Sequence, residues 1–192
     1  MRIIAGTYRS RTLAAPPGMS TRPTSDRLRE TLFNVLAPRI EGVAFLDLYA
    51  GSGAVGLEAL SRGAAHVTFV EPAPAALKVL DSNLARLEIS GGVSIHKKSV
   101  GAFLRSAPKP ERHEVLFLDP PYEAAEEYAI TLSLLGGTAK GILAENAVVI
   151  AEHRRKFALS ERYGSLKRTR VLEQGDAALS FYAIDAPAGP LQ

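Results

Sequence analysis

Two groups of residues in this 192-residue chain have types and spacing suited to chemistry. The first is Phe45-Leu-Asp-Leu-Tyr-Ala-Gly-Ser-Gly-Ala-Val-Gly56, in which Gly51, Gly53 and Gly56 form a G-x-G-x-x-G pattern. Glu71 closes the next apolar run, 20 residues after Gly51. At this spacing Gly51 predicts a tight turn and Gly53 a close approach of backbone to ligand. Gly56 predicts a helix packed tightly on its strand. A carboxylate placed like Glu71 accepts hydrogen bonds from ribose hydroxyls, so the pattern points to a nucleoside-bearing cofactor without saying which. The second group is Asp119-Pro-Pro-Tyr122. It combines an acceptor carboxylate, two prolines that fix a stiff turn, and a ring that can stack.

Both groups need a scaffold that brings them to one place. Val43 to Tyr49 is an apolar run broken only by Asp47, as in a strand buried on both faces, and a helical pattern follows over 54–62. Strands over 66–71, 93–96, 115–119 and 147–151 alternate with helices over 74–87, 100–106 and 124–135, with a weaker helix near 138–144. Alternation of this kind predicts parallel βαβ units. In an open α/β sheet ligands bind beyond the carboxyl ends of the strands, where Gly51 and Asp119 would meet. Leu166–Leu172 and Ala178–Ile184, separated by Gln174-Gly-Asp176, predict an antiparallel hairpin at the sheet edge. Upstream, residues 1–13 read as two short strands around Gly6, and Ala14 to Thr24 as a Pro- and Gly-rich loop. Thr24 or Ser25 could cap a helix carrying Leu28, Leu32, Val35 and Leu36. The expected fold is α/β and doubly wound, with a mostly parallel, seven-stranded Rossmann-like sheet. Residues 1–40 are expected to be a basic extension and residues 41–192 the cofactor-binding domain.

Charge is unevenly placed. Residues 1–31 carry six arginines against Asp26 and Glu30, a net of +4, whereas the whole chain has a net charge of +3. A basic arm on a near-neutral body suits a polyanionic partner. A second basic group, Arg154-Arg-Lys156 with Lys167, Arg168 and Arg170, could extend that surface. The chain has no cysteine, which excludes disulfides and thiolate metal sites, and its four histidines lack ligand spacing, so no metal is expected. No apolar run is long enough to span a membrane and no signal peptide is evident, so a cytoplasmic protein is expected. Without a strongly apolar surface stripe, a monomer is expected.

Gly51-Ser-Gly53, Glu71 and Asp119-Pro-Pro-Tyr122 resemble the class I methyltransferases that use S-adenosyl-L-methionine to modify exocyclic amino groups. Arg2-Ile-Ile-Ala-Gly, Arg22-Pro-Thr-Ser-Asp-Arg and Leu32-Phe-Asn34 narrow the match to the bacterial RsmD family, and nearly the whole chain takes part. The resemblance implies methylation of a guanine N2 in small-subunit (16S) ribosomal RNA, within an assembled or assembling subunit. It implies a cofactor site at Asp47, Tyr49, Ala50, Gly51, Ser52, Gly53, Glu71, Pro72, Ser99 and Val100, with Asp47 near the methionine end. At Ser99-Val100 many relatives carry an acid that holds the adenine amine, so a hydroxyl or backbone amide would serve here, and a helix cap is an equal reading of Ser99. It places the reaction at Asp119, Pro120, Pro121 and Tyr122, and RNA contacts at Arg9, Arg11, Arg22, Arg27 and Arg29.

A conjugated amine is a poor nucleophile. The Asp119 carboxylate and Pro120 carbonyl can each accept one of its N–H groups and Tyr122 can stack on the base. The target must be a loop or flipped-out nucleotide. Other readings are an adenine-N6 or protein-glutamine-N5 methyltransferase, a NAD-dependent dehydrogenase, and a catalytically silent ribosome-assembly factor.

Overall fold

A computed structural model describes residues 1–15, 26–106, 111–121 and 124–185. Arg22, Tyr122, the cap at Thr24 or Ser25, and the tail from Ala186 lie outside these residues. The described chain forms helices α1 (Asp26–Leu36), α2 (Ala54–Ser61), α3 (Pro74–Arg86), α4 (Val100–Arg105) and α5 (Glu126–Gly136). Its strands are β1 (Ala44–Leu48), β2 (His66–Val70), β3 (Val93–His96), β4 (His113–Leu118), β5 (Leu143–Arg154), β6 (Arg162–Tyr163), β7 (Leu166–Gln174) and β8 (Ala177–Ile184). The weak helix foreseen near 138–144 is a single 3-10 turn, Lys140–Ile142.

All eight strands join one sheet in the order β3-β2-β1-β4-β5-β8-β7-β6. The first five in that order are parallel and the last three antiparallel. The expected seven strands become eight because Arg162–Tyr163 pairs with Lys167 and Leu166. Two residues are too few to show an alternating pattern in sequence. β5 also runs further than the expected 147–151. Beyond Ala151 its carboxyl end still has a partner in β8, where Glu152, His153 and Arg154 pair with Leu179, Ala178 and Ala177.

Alternate residues of each strand feed two separate cores. Phe45, Val67, Phe69, Val115, Phe117 and Ile150 pack with α1, α2 and α3 on one face. Leu46, Leu48, Val70, Leu116, Leu118 and Val149 pack with α4 and α5 on the other. Burial on both faces explains why the parallel strands read as continuous apolar runs.

Residues 1–40 share the first core through Ile3, Leu13, Leu28, Leu32, Phe33, Leu36 and Ile40. The two strands expected around Gly6 reduce to one antiparallel bridge, Arg2 to Thr12. What holds this segment is Glu58 of α2. Its carboxylate accepts the amides of Ile4 (2.8 Å) and Ala5 (3.0 Å) and the Arg62 Nε (2.7 Å). Among the described residues no helix is long and apolar enough to cross a membrane.

Candidate active site

β1, β2 and β4 run parallel, so the turns leaving them share one sheet edge. After β1 the chain bends through Tyr49 (φ 66°) and Gly51 (φ 55°) into Gly53 (φ 79°), which starts α2. The three glycines meet different surroundings. A Cβ on Gly51 would meet only open space, apart from the Tyr49 carbonyl at 4.0 Å. Gly51 is therefore where a ligand can approach the backbone. A Cβ on Gly53 would fall 2.3 Å from a Leu80 methyl, so Gly53 serves the turn and the packing of α3. Gly56 allows close packing as expected, but against Phe69 and Val67 of β2 rather than its own strand.

Two carboxylates hold this turn from inside. Glu71 accepts the Gly51 amide on one oxygen and the Ala73 amide on the other, both at 2.8 Å. Each oxygen keeps capacity for a further donor, so Glu71 can fix the loop and still receive a hydroxyl. Asp47 accepts the Gly56 amide at 2.9 Å. It thereby satisfies a first-turn N–H of α2 that Gly53, lacking a side chain, cannot cap. Asp47 is 2% exposed. Burial pushes its carboxyl up to about 7, the Gly56 bond pulls it down, and the charge of Glu71 adds to the rise.

Asp119 leaves β4 at the same edge, partly exposed, with Pro120 buried and Pro121 at the surface. Its carboxyl is held well above the usual range, mainly by burial, then by the charges of Glu152 and Asp47. Glu152, buried in β5, was not picked out from sequence. The signal was there: an acid ending the apolar run Ala147-Val-Val-Ile-Ala151 at the edge where ligands bind. Acids from four strand ends thus face this region. Among the described residues no group of three or more His, Asp or Glu side chains is arranged to hold a metal ion.

Other expected positions are engaged with the protein. The Tyr49 hydroxyl donates to Glu127 and pairs with the Thr131 hydroxyl, both at 2.7 Å, which commits it to α5. Burial raises its pKa. Ser99 Oγ accepts the Ala102 amide at 3.3 Å as the cap of α4, and Val100 is buried in the second core. Ala50 is buried and Pro72 exposed. The Ser52 carbonyl accepts Asn83 Nδ2 at 2.9 Å. Asn83 also bonds the Ala14 amide (2.8 Å) and carbonyl (3.2 Å), tying the loop to the N-terminal segment. Its sequence signal was an amide on the apolar face of α3, in line with Leu77, Leu80 and Leu84.

Of the arginines expected on RNA, Arg9, Arg11 and Arg27 are exposed. Arg11 also donates to the Arg86 carbonyl at the end of α3. Arg29 is a correction. It is 0% exposed, paired with Asp26 at 3.0 Å and with Glu58 at 3.7 Å, and donates to the Arg2 carbonyl. Buried inside the protein, its guanidinium cannot reach a phosphate. It holds α1 to α2 and the N-terminal segment.

The family model described as conserved hypothetical protein 95 matches residues 1–183. Ribosomal RNA small subunit methyltransferase D of Escherichia coli is 44% identical over 154 residues, covering 79% of this chain and 74% of that protein. The chain belongs to the RsmD family of methyltransferases. Bacillus subtilis YlbH, another relative of this methyltransferase, is 38% identical over 183 residues, covering 95% of this chain and 98% of its own. The solved structure of yhhF from Escherichia coli superposes with a TM-score of 0.85 at 36% identity, covering 97% of the methyltransferase and 99% of yhhF.

Proposed function

We propose that this protein transfers a methyl group from S-adenosyl-L-methionine to the N2 amine of a guanine in small-subunit ribosomal RNA. The observation that carries the reading is the Asp119-Pro120-Pro121 turn, which leaves β4 beside the Gly51 loop and its acids. The edge fits the cofactor. Gly51 faces open space, Glu71 is fixed with acceptor capacity left, and Asp47 is a buried carboxyl that a cation would ionise. Asp47, Gly51 and Glu71 are the residues we assign to hold it, with the backbone at Ser99-Val100 beside the base. When bound, the cofactor supplies an electrophilic methyl group on a positively charged sulfur.

The chain's own residues do the rest. The Asp119 carboxylate and Pro120 carbonyl accept the two N–H groups of the guanine amine and turn its lone pair toward the cofactor. Tyr122 stacks on the base. Because the Asp119 carboxyl is raised, it needs a neighbouring positive charge to become the acceptor this role requires. In this reading residues 41–192 perform the transfer and residues 1–40 form an RNA-contacting arm through Arg9, Arg11, Arg22 and Arg27. The protein acts as a cytoplasmic monomer on an assembled or assembling small subunit.

The test is transfer of label from S-adenosylmethionine to unmethylated small subunits, to the same RNA stripped of protein, and to transfer RNA, followed by digestion to nucleosides. Label in N2-methylguanosine from either small-subunit substrate is the expected result. Label in N6-methyladenosine would move the target to another amine. No label with any RNA would sink the reading.

A further inference from the structure

We infer that the loop leaving β5, Arg154-Arg-Lys-Phe157, is a second RNA grip that holds the strand beside the target nucleotide, opposite the N-terminal arm. The inference rests on the reading of this protein as an RNA methyltransferase. β5 pairs in parallel with β4, with Ala151 opposite Leu118, so the two strands end at the same edge. Asp119 follows Leu118, and the loop begins three residues beyond Ala151. At about 3.3 Å per extended residue, Arg155, four residues beyond Ala151, stands about 13 Å past the level of Leu118. That is within reach of the backbone flanking a base held at Asp119.

The loop is well anchored and its side chains face outward. The Phe157 amide donates to the Arg154 carbonyl and the Arg155 amide to the Asp176 carbonyl, both at 2.8 Å. Arg154, Arg155 and Lys156 are exposed. Phe157 is 37% exposed, the most exposed aromatic ring among the described residues. Its inner side rests on Tyr128 of α5, ring centroids 5.5 Å apart, and α5 is the helix that follows the Asp119 turn. Three cations next to a half-open ring suit single-stranded nucleic acid, with phosphates on the cations and a base on the ring.

Sheet order supplies the second argument. Asp119 leaves β4, with β1 and β2 on one side and β5 on the other. The N-terminal segment meets the glycine loop on the β1 side through Asn83. The β5 loop occupies the other flank. An RNA strand crossing the edge would be held on both sides of the reacting base.

The experiment compares three variants with the wild type in steady-state methyl transfer to small subunits: Arg155→Glu with Lys156→Glu, Phe157→Ala, and Phe157→Trp. The charge variant should raise KM for the subunit about tenfold with kcat nearly kept, and lower the salt dependence of RNA binding. Phe157→Ala should raise KM by about tenfold, and Phe157→Trp should restore it. Cofactor affinity and melting temperature of all three should match the wild type. An unchanged KM in the charge variant would overturn the grip, as would KM changes that follow lost cofactor affinity or lost melting temperature. If the wild type itself puts no label into guanine N2, the substrate reading fails and the grip with it. If the wild type transfers label and the charge variant matches it, only the grip fails.

Discussion

Asp119 is a carboxyl kept above its usual pKa by burial and by two like-charged neighbours, at the position we assign to the target base. Protonated, the acid loses its negative charge and commits one oxygen to an O–H, which makes it a weaker acceptor for an amine N–H, so transfer should rise with pH through the group's raised pKa. Asp119→Ala should cut kcat by about a hundredfold or more with cofactor affinity nearly unchanged, as seen by calorimetry and single-turnover transfer. Loss of cofactor affinity as well would place Asp119 in the cofactor site instead. Asp47 allows a cleaner reading of charge. It holds its proton up to about pH 7 in the fold, whereas an unfolded aspartate releases it near pH 4. Its contribution to stability is thus fully present below about pH 4 and is lost by about pH 7. The stability of the cofactor-free wild type relative to Asp47→Asn should fall across that window in urea titrations. The shifts of His113 and His153 cancel in this difference, and a flat difference would mean that Asp47 is ionised in the fold.

At the scale of elements, α1, α2 and the first residues of the chain are joined through one ion cluster, the buried Arg29 and Glu58 with the half-exposed Asp26. Glu58→Ala removes the acceptor for two backbone amides and leaves the buried Arg29 with Asp26 as its remaining carboxylate. It should cost about 3–5 kcal/mol in denaturant unfolding and open residues 1–15 to limited proteolysis. A loss below about 1 kcal/mol would show that the apolar contacts of Ile3 and Leu13 suffice. The same cluster marks where sequence reading stops. β1, β2, β4 and the strands of the β7–β8 hairpin were legible because each carries its own periodicity or apolar run. The role of Arg29 was not, because its partner Glu58 belongs to another helix and only packing brings them together. The packing at Gly53 was not legible for a related reason: the place its Cβ would take is filled by Leu80, a neighbour set by the tertiary fold. The meeting of Glu71 and Asp119 at one edge was legible since each follows a parallel strand. The backbone bonds that lock Glu71 were not.

On the scale of the whole molecule, the sheet separates two cores, and the candidate site lies at its carboxyl edge. One contact gives this arrangement a property that neither core has alone. Asn83 joins the Ser52 carbonyl of the glycine loop to Ala14, the last stretch of arm described before α1. Cofactor affinity measured with and without small-subunit RNA should therefore differ by some factor, and RNA affinity with and without cofactor by the same factor. Asn83→Ala should bring both factors toward one. Equal cofactor affinities in the presence and absence of RNA would show that the amide transmits nothing. Coupling of this kind would impose no order of arrival: whichever partner came first would already have done part of the work of seating the second, and its departure would loosen the other.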